Sequence, residues 1–288
     1  MENAVENSVY EFTVGAFKCL SISDGAQPID AETLPTFFSG ASAADLAAVL
    51  RKHNMSPDHF DLQCSPLLID TGGERVLIDS GGGSVFHAHL GKVVPGLAAA
   101  GYQPGDIDLI VLTHGHLDHI CGGVDKDGAM VFPNARQVMA RGEWEYWMEE
   151  TDATAMGDHL VEDVRFAQEC LSAMRQQAQL IEPGDEVAPG IRAIPTPGHT
   201  RDHISVAVTS GDCRLLCVAD TMDLPIHVEQ TTWHPAWDTQ PALGLRSRTM
   251  LLRRAVAENA LIHAFHFPFP GVGYVRAAGD GWRFEPLG

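Results

Sequence analysis

Residues Thr113-His114-Gly115-His116-Leu117-Asp118-His119 set three imidazoles and a carboxylate within six consecutive positions, His114 to His119. A lone histidine is more often a packed or solvated side chain than a ligand. This density is different, because neutral imidazole nitrogen and carboxylate oxygen are the donors that zinc and similar divalent ions take. In an extended or tightly turned loop, His114 and His116 point the same way and reach one ion. Asp118 and His119 then turn toward a second. Gly115 within the run and Gly122-Gly123 after it keep the segment slim.

Three further segments carry the same residue types: Pro197-Gly198-His199-Thr200, Val218-Ala219-Asp220, and His266 in HFPFPGVG. His263 competes with His266, but His263 falls within a strand pattern and His266 at its end, so His266 is preferred. His227 and His234, in a loop near Asp220, either line the pocket or face solvent, and solvent-facing loop histidines are the preferred reading. Trp144, Tyr146 and Trp147 either wall a substrate pocket or fill a core. Cys121 lies two positions beyond His119, and packing is its expected role.

The elements that must position these groups follow from periodicity. Residues 66–80 hold two apolar runs around Gly72-Gly73, a hairpin signal. Ser42, followed by Asp45 and the apolar Leu46, Val49 and Leu50, predicts a capped helix. Ile107–Thr113 reads as a buried strand ending at His114. The stretch from Gly142 to about Gln179 is helical in pattern, with a break near Gly157. Ile191–Pro195 is a short strand ending near His199. Ile204–Thr209 and Arg214–Ala219 form a hairpin ending at Asp220. Ala242–Asn259 is a helix, Leu261–Phe265 a strand ending at His266, and 272–276 with 282–284 a closing hairpin. Four strands thus each deliver a His or Asp just past their C-terminal ends, where a rigid scaffold can hold ligands open to substrate. Two β-rich halves with helices outside them imply an αββα sandwich, a single domain over residues 1–288.

The first run resembles the HxHxDH signature of the metallo-β-lactamase superfamily, and LIDSGGG at 77–83 resembles the family's strand and turn. Within that superfamily, the C-terminal stretch from Ala264 is similar to the methyl parathion hydrolase branch and its lactonase-like and esterase-like relatives. The resemblance implies that His114, His116 and His199 hold one metal ion and that Asp118, His119 and His266 hold the other. Asp220 would bridge the two ions, and Asp79 would be structural. It implies zinc, a homodimer, and a metal-bridging hydroxide as nucleophile, with Asp118 orienting it and carrying a proton. Asp at 220, where zinc β-lactamases would have Cys, and His at 116, where the diiron branch would have Glu, narrow the field. N-acyl homoserine lactonases usually carry a Tyr shortly after the bridging Asp. This chain has Thr221, Met222 and Asp223 there.

Composition bounds the substrate. The 288 residues carry a formal net charge of −19, which repels phosphate backbones and argues against a nucleic-acid partner. A phosphodiesterase or nuclease reading is weakened accordingly. A non-catalytic scaffold would be marked by missing ligands, and none is missing. The N-terminal MENAVENSVYEF lacks a basic and then apolar leader, and no apolar run approaches the roughly 18 residues of a membrane span. A cytoplasmic hydrolase of small neutral esters, lactones or phosphotriesters is the expectation.

Overall fold

A computed structural model describes residues 8–151 and 158–287. Its strands are β1 (Val9–Val14), β2 (Phe17–Ile22), β3 (Gly25–Asp30), β4 (His59–Cys64), β5 (Leu67–Asp70), β6 (Arg75–Ile78), β7 (Leu109–Leu112), β8 (Arg136–Ala140), β9 (Ala178–Ile181), β10 (Glu186–Ala188), β11 (Ile191–Pro195), β12 (Ile204–Ser210), β13 (Cys213–Cys217), β14 (Leu261–His263), β15 (Val272–Ala278) and β16 (Gly281–Pro286). One sheet has the order β1-β2-β5-β6-β7-β8-β9 and the other runs β10 to β16 in sequence, while β3 and β4 form a separate ribbon.

Alternation of apolar side chains explains the layers. In β7, Leu109 and Val111 face the space between the sheets, meeting Val206, Val208, Leu215 and Cys217 from the second sheet. Ile110 and Leu112 face the other way, toward Val164, Leu171 and Met174 of helix α1 (Asp158–Met174). In the second sheet Leu216 and Ile262 turn outward onto Leu251, Leu252 and Ala255 of helix α2 (Pro241–Ala257). Each central strand is therefore apolar on both faces, as a sheet covered on both sides requires. The expected αββα sandwich is the fold.

Several expected boundaries move. The helical stretch from Gly142 is two pieces, Arg141–Glu145 running into a wider turn over Tyr146–Glu150, and then α1. The anticipated break near Gly157 lies outside the described residues. The strand before His266 ends at His263, and the strand before Asp220 ends at Cys217. The ribbon β3–β4 and the hairpin β1–β2 carry no strong hydrophobic alternation. Sequence reading assigned neither.

A buried carboxylate stitches the loops behind the site. Asp24 accepts from the backbone N–H groups of Gly82 and Gly83 with Oδ2 (3.0 and 3.1 Å), and from Gly91, Lys92 and Val93 with Oδ1 (2.9, 2.8 and 3.2 Å). It is fully buried. An Asn there presents N–H groups to one of these sets of donors. Asp24→Asn should therefore cost about 3 kcal/mol of folding stability. Urea unfolding that shows less than about 1 kcal/mol would refute this account of the loop.

Candidate metal centre

The residues singled out from the sequence converge. His114 follows β7, and the next turn carries His116, Asp118 and His119. His114 Nε2 lies 2.9 Å from His116 Nδ1, and His199 Nε2 lies 3.0 Å from the same atom. Asp220 Oδ2 is 3.7 Å from His114 Nε2 and 3.3 Å from His199 Nε2. On its other side, Asp220 Oδ1 is 3.2 Å from His119 Nε2, and Oδ2 is 3.3 Å from His266 Nε2. His266 Nε2 is also 3.5 Å from Asp118 Oδ2. Two sets of possible ligands result, His114-His116-His199-Asp220 and His119-Asp220-His266, with Asp220 in both. A third set adds Cys64 to Asp118 and His266, and nothing in the sequence had singled out Cys64.

The outer ring nitrogens decide what the inner ones offer. His199 Nδ1 is 2.9 Å from Asp238 Oδ1, His119 Nδ1 is 2.9 Å from Asp79 Oδ2, and His266 Nδ1 is 2.7 Å from the Gln63 carbonyl. Each partner can only accept, so each Nδ1 carries the proton. Thr113 Oγ1 donates to Asp79 Oδ2 (2.9 Å), which leaves it to accept from His114 Nδ1 at 3.1 Å. Four Nε2 lone pairs therefore point inward, toward one another and toward a carboxylate. Asp220 Oδ1 is buried and accepts no hydrogen bond. Crowded lone pairs beside a buried carboxylate repel unless protons or metal cations lie between them. Both the donor set and its geometry fit divalent ions.

The charges agree. Burial, reinforced by the neighbouring histidines, holds His114 well below its ordinary pKa and His116 at about 3. Burial alone would lower His119 and His266 too, but the Asp220 carboxylate overcomes it and lifts both well above the usual value. Burial likewise would raise Asp220, and the facing histidines His119, His266 and His199 outweigh it, keeping the group ionised. The site therefore draws positive charge toward the Asp220 carboxylate, as protons on these histidines when no metal is bound.

Local backbone geometry holds the ligands. Asp79 and Ala219 adopt positive φ (59° and 43°), the first to cap the turn at Thr113, the second to swing Asp220 inward from β13. Such strain in an Ala costs about 1 kcal/mol and persists only where the surroundings impose it. His203 supplies part of that imposition: its Nε2 accepts from the Asp220 N–H at 3.3 Å and its Nδ1 lies 2.9 Å from Thr196 Oγ1. Arg248 of α2, 1% exposed, donates to the carbonyls of Thr221 and Thr231 at 2.6 and 2.8 Å and clamps the following loop. Gly115 is required because a Cβ there would lie 2.2 Å from Trp147 Nε1, and Gly198 because one would lie 2.1 Å from the Gly244 nitrogen.

Other candidates fall elsewhere. His263 is buried 3.4 Å from Ser21 Oγ, outside all three ligand sets. His227, expected to face solvent, is instead fully buried, with Nδ1 accepting from the Asp223 N–H and Nε2 2.9 Å from the Phe37 carbonyl. His234 is half-buried beside Ser39. Trp144 and Trp147 are both buried in the core, and Trp147 with Tyr146 also lines a cavity of about 550 Å³ over His116, Asp118, Asp220 and His266. Cys121 packs against Cys170, with the sulfurs 3.0 Å apart.

The family model of the metallo-beta-lactamase superfamily matches residues 59–228. The chain belongs to that superfamily. A Drosophila melanogaster relative, beta-lactamase-like protein 2 homolog, is 29% identical over 177 residues, covering 59% of this chain. The match spans about half of that relative, 53%. Among solved structures, AidC, described as a dizinc quorum-quenching lactonase in complex with its product, superposes with a TM-score of 0.90 at 24% identity over 98% of each chain. The hydrolase AbOPH of the beta-lactamase superfamily superposes with a TM-score of 0.88 at 25% identity, also over 98% of each.

The two competing histidines give the test of this arrangement. His266→Ala should lower bound metal by about one ion per chain, while His263→Ala should leave metal content unchanged and reduce stability. Elemental analysis of both variants giving the reverse pattern would exchange their assignments.

Proposed function

We propose that this protein is a two-metal hydrolase of small, uncharged ester-type compounds: lactones, aryl esters or phosphotriesters. The carrying observation is Asp220, whose two oxygens lie within 3.3 Å of ring nitrogens from both histidine sets. In this reading His114, His116 and His199 hold one ion, Asp118, His119 and His266 the other, and Asp220 both. Zinc suits the imidazole-rich donor set. Two bound divalent ions supply an acidified water and a Lewis acid for the oxygen under attack.

The chain's own residues do the rest. Asp118 faces the cavity, with a side chain 15% exposed. Gln27 Nε2 donates to its Oδ2 at 3.3 Å, which fixes that oxygen and leaves the other free to orient a water. From there the carboxylate can carry a proton to the departing oxygen. Phe37, Trp147, Tyr146 and Trp237, with Ile29 and Leu62, make the wall apolar and exclude bulk water. A volume of about 550 Å³ lies within the usual range for small-ligand pockets.

Charge supports the substrate class. Apart from histidine, the charged lining residues are the carboxylates Asp118, Asp163, Asp220 and Asp223. Two divalent ions would offset most of this charge, so an anionic substrate gains little on entry. The net charge of −19 works against polyanions at longer range. Both features disfavour a nuclease. The lactonase activity of AidC supports lactones as one substrate class, and the site chemistry itself serves carbonyl and phosphoryl centres alike. We further propose that the enzyme works as a homodimer in the cytoplasm; for localisation, the supporting fact is that no helix among the described residues is long and apolar enough to cross a membrane.

The lining residues include neither Ser nor Cys, so attack by water without a covalent enzyme intermediate is expected. Zinc-loaded protein should hydrolyse members of a panel of p-nitrophenyl esters, lactones and phosphotriesters, and chelation should abolish this reversibly. Single turnover in oxygen-18 water should place the label in the product acid. An acyl- or phosphoryl-enzyme seen by intact-protein mass spectrometry, or full activity with one ion per chain, would overturn the mechanism.

A further inference from the structure

Glu143 is a buried carboxylate that the hydrolytic reading leaves without a role. It is 0% exposed, on the short helix Arg141–Glu145 after β8. Oε1 accepts from the Gly115 N–H at 3.1 Å and from Trp147 Nε1 at 2.8 Å. Oε2 accepts from Thr200 Oγ1 at 2.8 Å and from the Asp202 N–H at 3.3 Å. Gly115 sits between His114 and His116, and Thr200 follows His199. One side chain therefore ties together the two loops that carry these three histidines. They come from opposite sheets, one loop after β7 and the other after β11.

The second set is braced by other means. Asp79 Oδ2 holds His119 Nδ1 and the Gln63 carbonyl holds His266 Nδ1. Neither group contacts Glu143 through any of its four bonds. From this division we infer that Glu143 is a positioning residue for the His114-His116-His199 metal site alone, and that it couples this site to the cavity wall through Trp147. The assignment rests on the two-site reading above.

The chemistry makes the carboxylate hard to replace. All four partners donate, and an ionised carboxylate accepts from each. The fit is costly in isolation: burial pushes the Glu143 pKa up, opposed by the bonds from Trp147, Thr200, Gly115 and Asp202. A glutamine of the same shape keeps one accepting oxygen and turns an NH2 toward the other pair. The Thr200 hydroxyl can rotate to accept from that NH2, but neither a backbone N–H nor the Trp147 indole can. One loop must then move away, and the nitrogens of His114, His116 and His199 no longer converge.

The test is metal titration of apoprotein with cobalt(II) alone, against a competing chelator, for wild type, Glu143→Gln and Asp79→Asn. Imidazole N–H resonances shifted by the bound cobalt report each site, His114 and His199 for the first, His119 and His266 for the second. For Glu143→Gln, one of two dissociation constants should rise about 10- to 100-fold, the range for losing a group that orients a ligand. The resonances lost should be those of His114 and His199. Asp79→Asn should instead weaken both sites and lose the His119 resonance, because Asp79 holds His119 directly and His114 through Thr113. If Glu143→Gln does not fold, Thr200→Val removes one of the four bonds and should shift the same site in the same direction by less. In Glu143→Gln, equal weakening of both sites, no weakening, or loss of the His119 and His266 signals would overturn the assignment. Wild-type protein that binds a single ion would instead refute the two-site reading, and the assignment with it.

Discussion

The structure depends on holding five imidazole nitrogens and one carboxylate at close quarters without letting them separate. Left to themselves, ring nitrogens 2.9 to 3.4 Å apart can share at most one proton per contact, and each side chain would gain by rotating toward water or toward a hydrogen-bond donor. The protein prevents this from outside the cluster. Asp238, Asp79, the Gln63 carbonyl and Thr113 each engage the outer nitrogen of one ring, fixing its tautomer and its plane. The anchors are themselves fixed: Asp79 also accepts from the Thr113 backbone N–H at 2.8 Å, and Ser80 Oγ donates to the carbonyls of His119 and Ile120.

That arrangement needs a sandwich, because the anchors and ligands come from both sheets. His114, His116 and His119 leave the first sheet, while His199, Asp220 and His266 leave the second. The sheets meet through side chains such as Val111, Val206 and Cys217, which are buried to within 1%. Close-packed interiors deform little, so the two loop sets keep a fixed separation. A parallel β13–β14 pair brings Asp220 and His266 beside each other from positions 46 residues apart, with Cys217 opposite His263 in register.

How legible this was from the sequence follows the type of signal. The ligand candidates were legible because imidazoles packed so densely after a buried apolar strand repel and stay unsatisfied unless an ion binds them. The central strands were legible because residues such as Leu109–Leu112 are apolar on both faces. The ribbon β3–β4 was not, since His59–Cys64 reads HFDLQC and its apolar side chains face a cap rather than a sheet core. The anchors were also hidden. Asp238, Glu143 and His203 look like ordinary polar residues in the chain, and only the fold brings them beside groups that are 39, 57 and 17 residues away, His199 for Asp238, Thr200 for Glu143 and Asp220 for His203. His227 misled for the opposite reason: a histidine in a turn-rich segment reads as solvated, yet its two ring nitrogens satisfy backbone groups in the interior.

The distribution of burial around the centre bears on how a rigid cluster can still do chemistry. His114 and His119 are wholly buried and His199, His266 and Asp220 nearly so, whereas His116 and Asp118 are only partly covered and face the cavity. The back of the site is thus locked by hydrogen bonds in the protein interior. Its front is held more loosely, Asp118 by Gln27 at 3.3 Å and by the weak Cys64 thiol contact at 3.9 Å. The role proposed for Asp118, orienting water and moving a proton, would need this freedom, since a carboxylate with both oxygens saturated could do neither. Gln27 lies on the β3–β4 ribbon, which also supplies Ile29 and Leu62 to the cavity wall. The same ribbon thus both walls the apolar part of the cavity and, through Gln27, hydrogen-bonds Asp118 at its polar end.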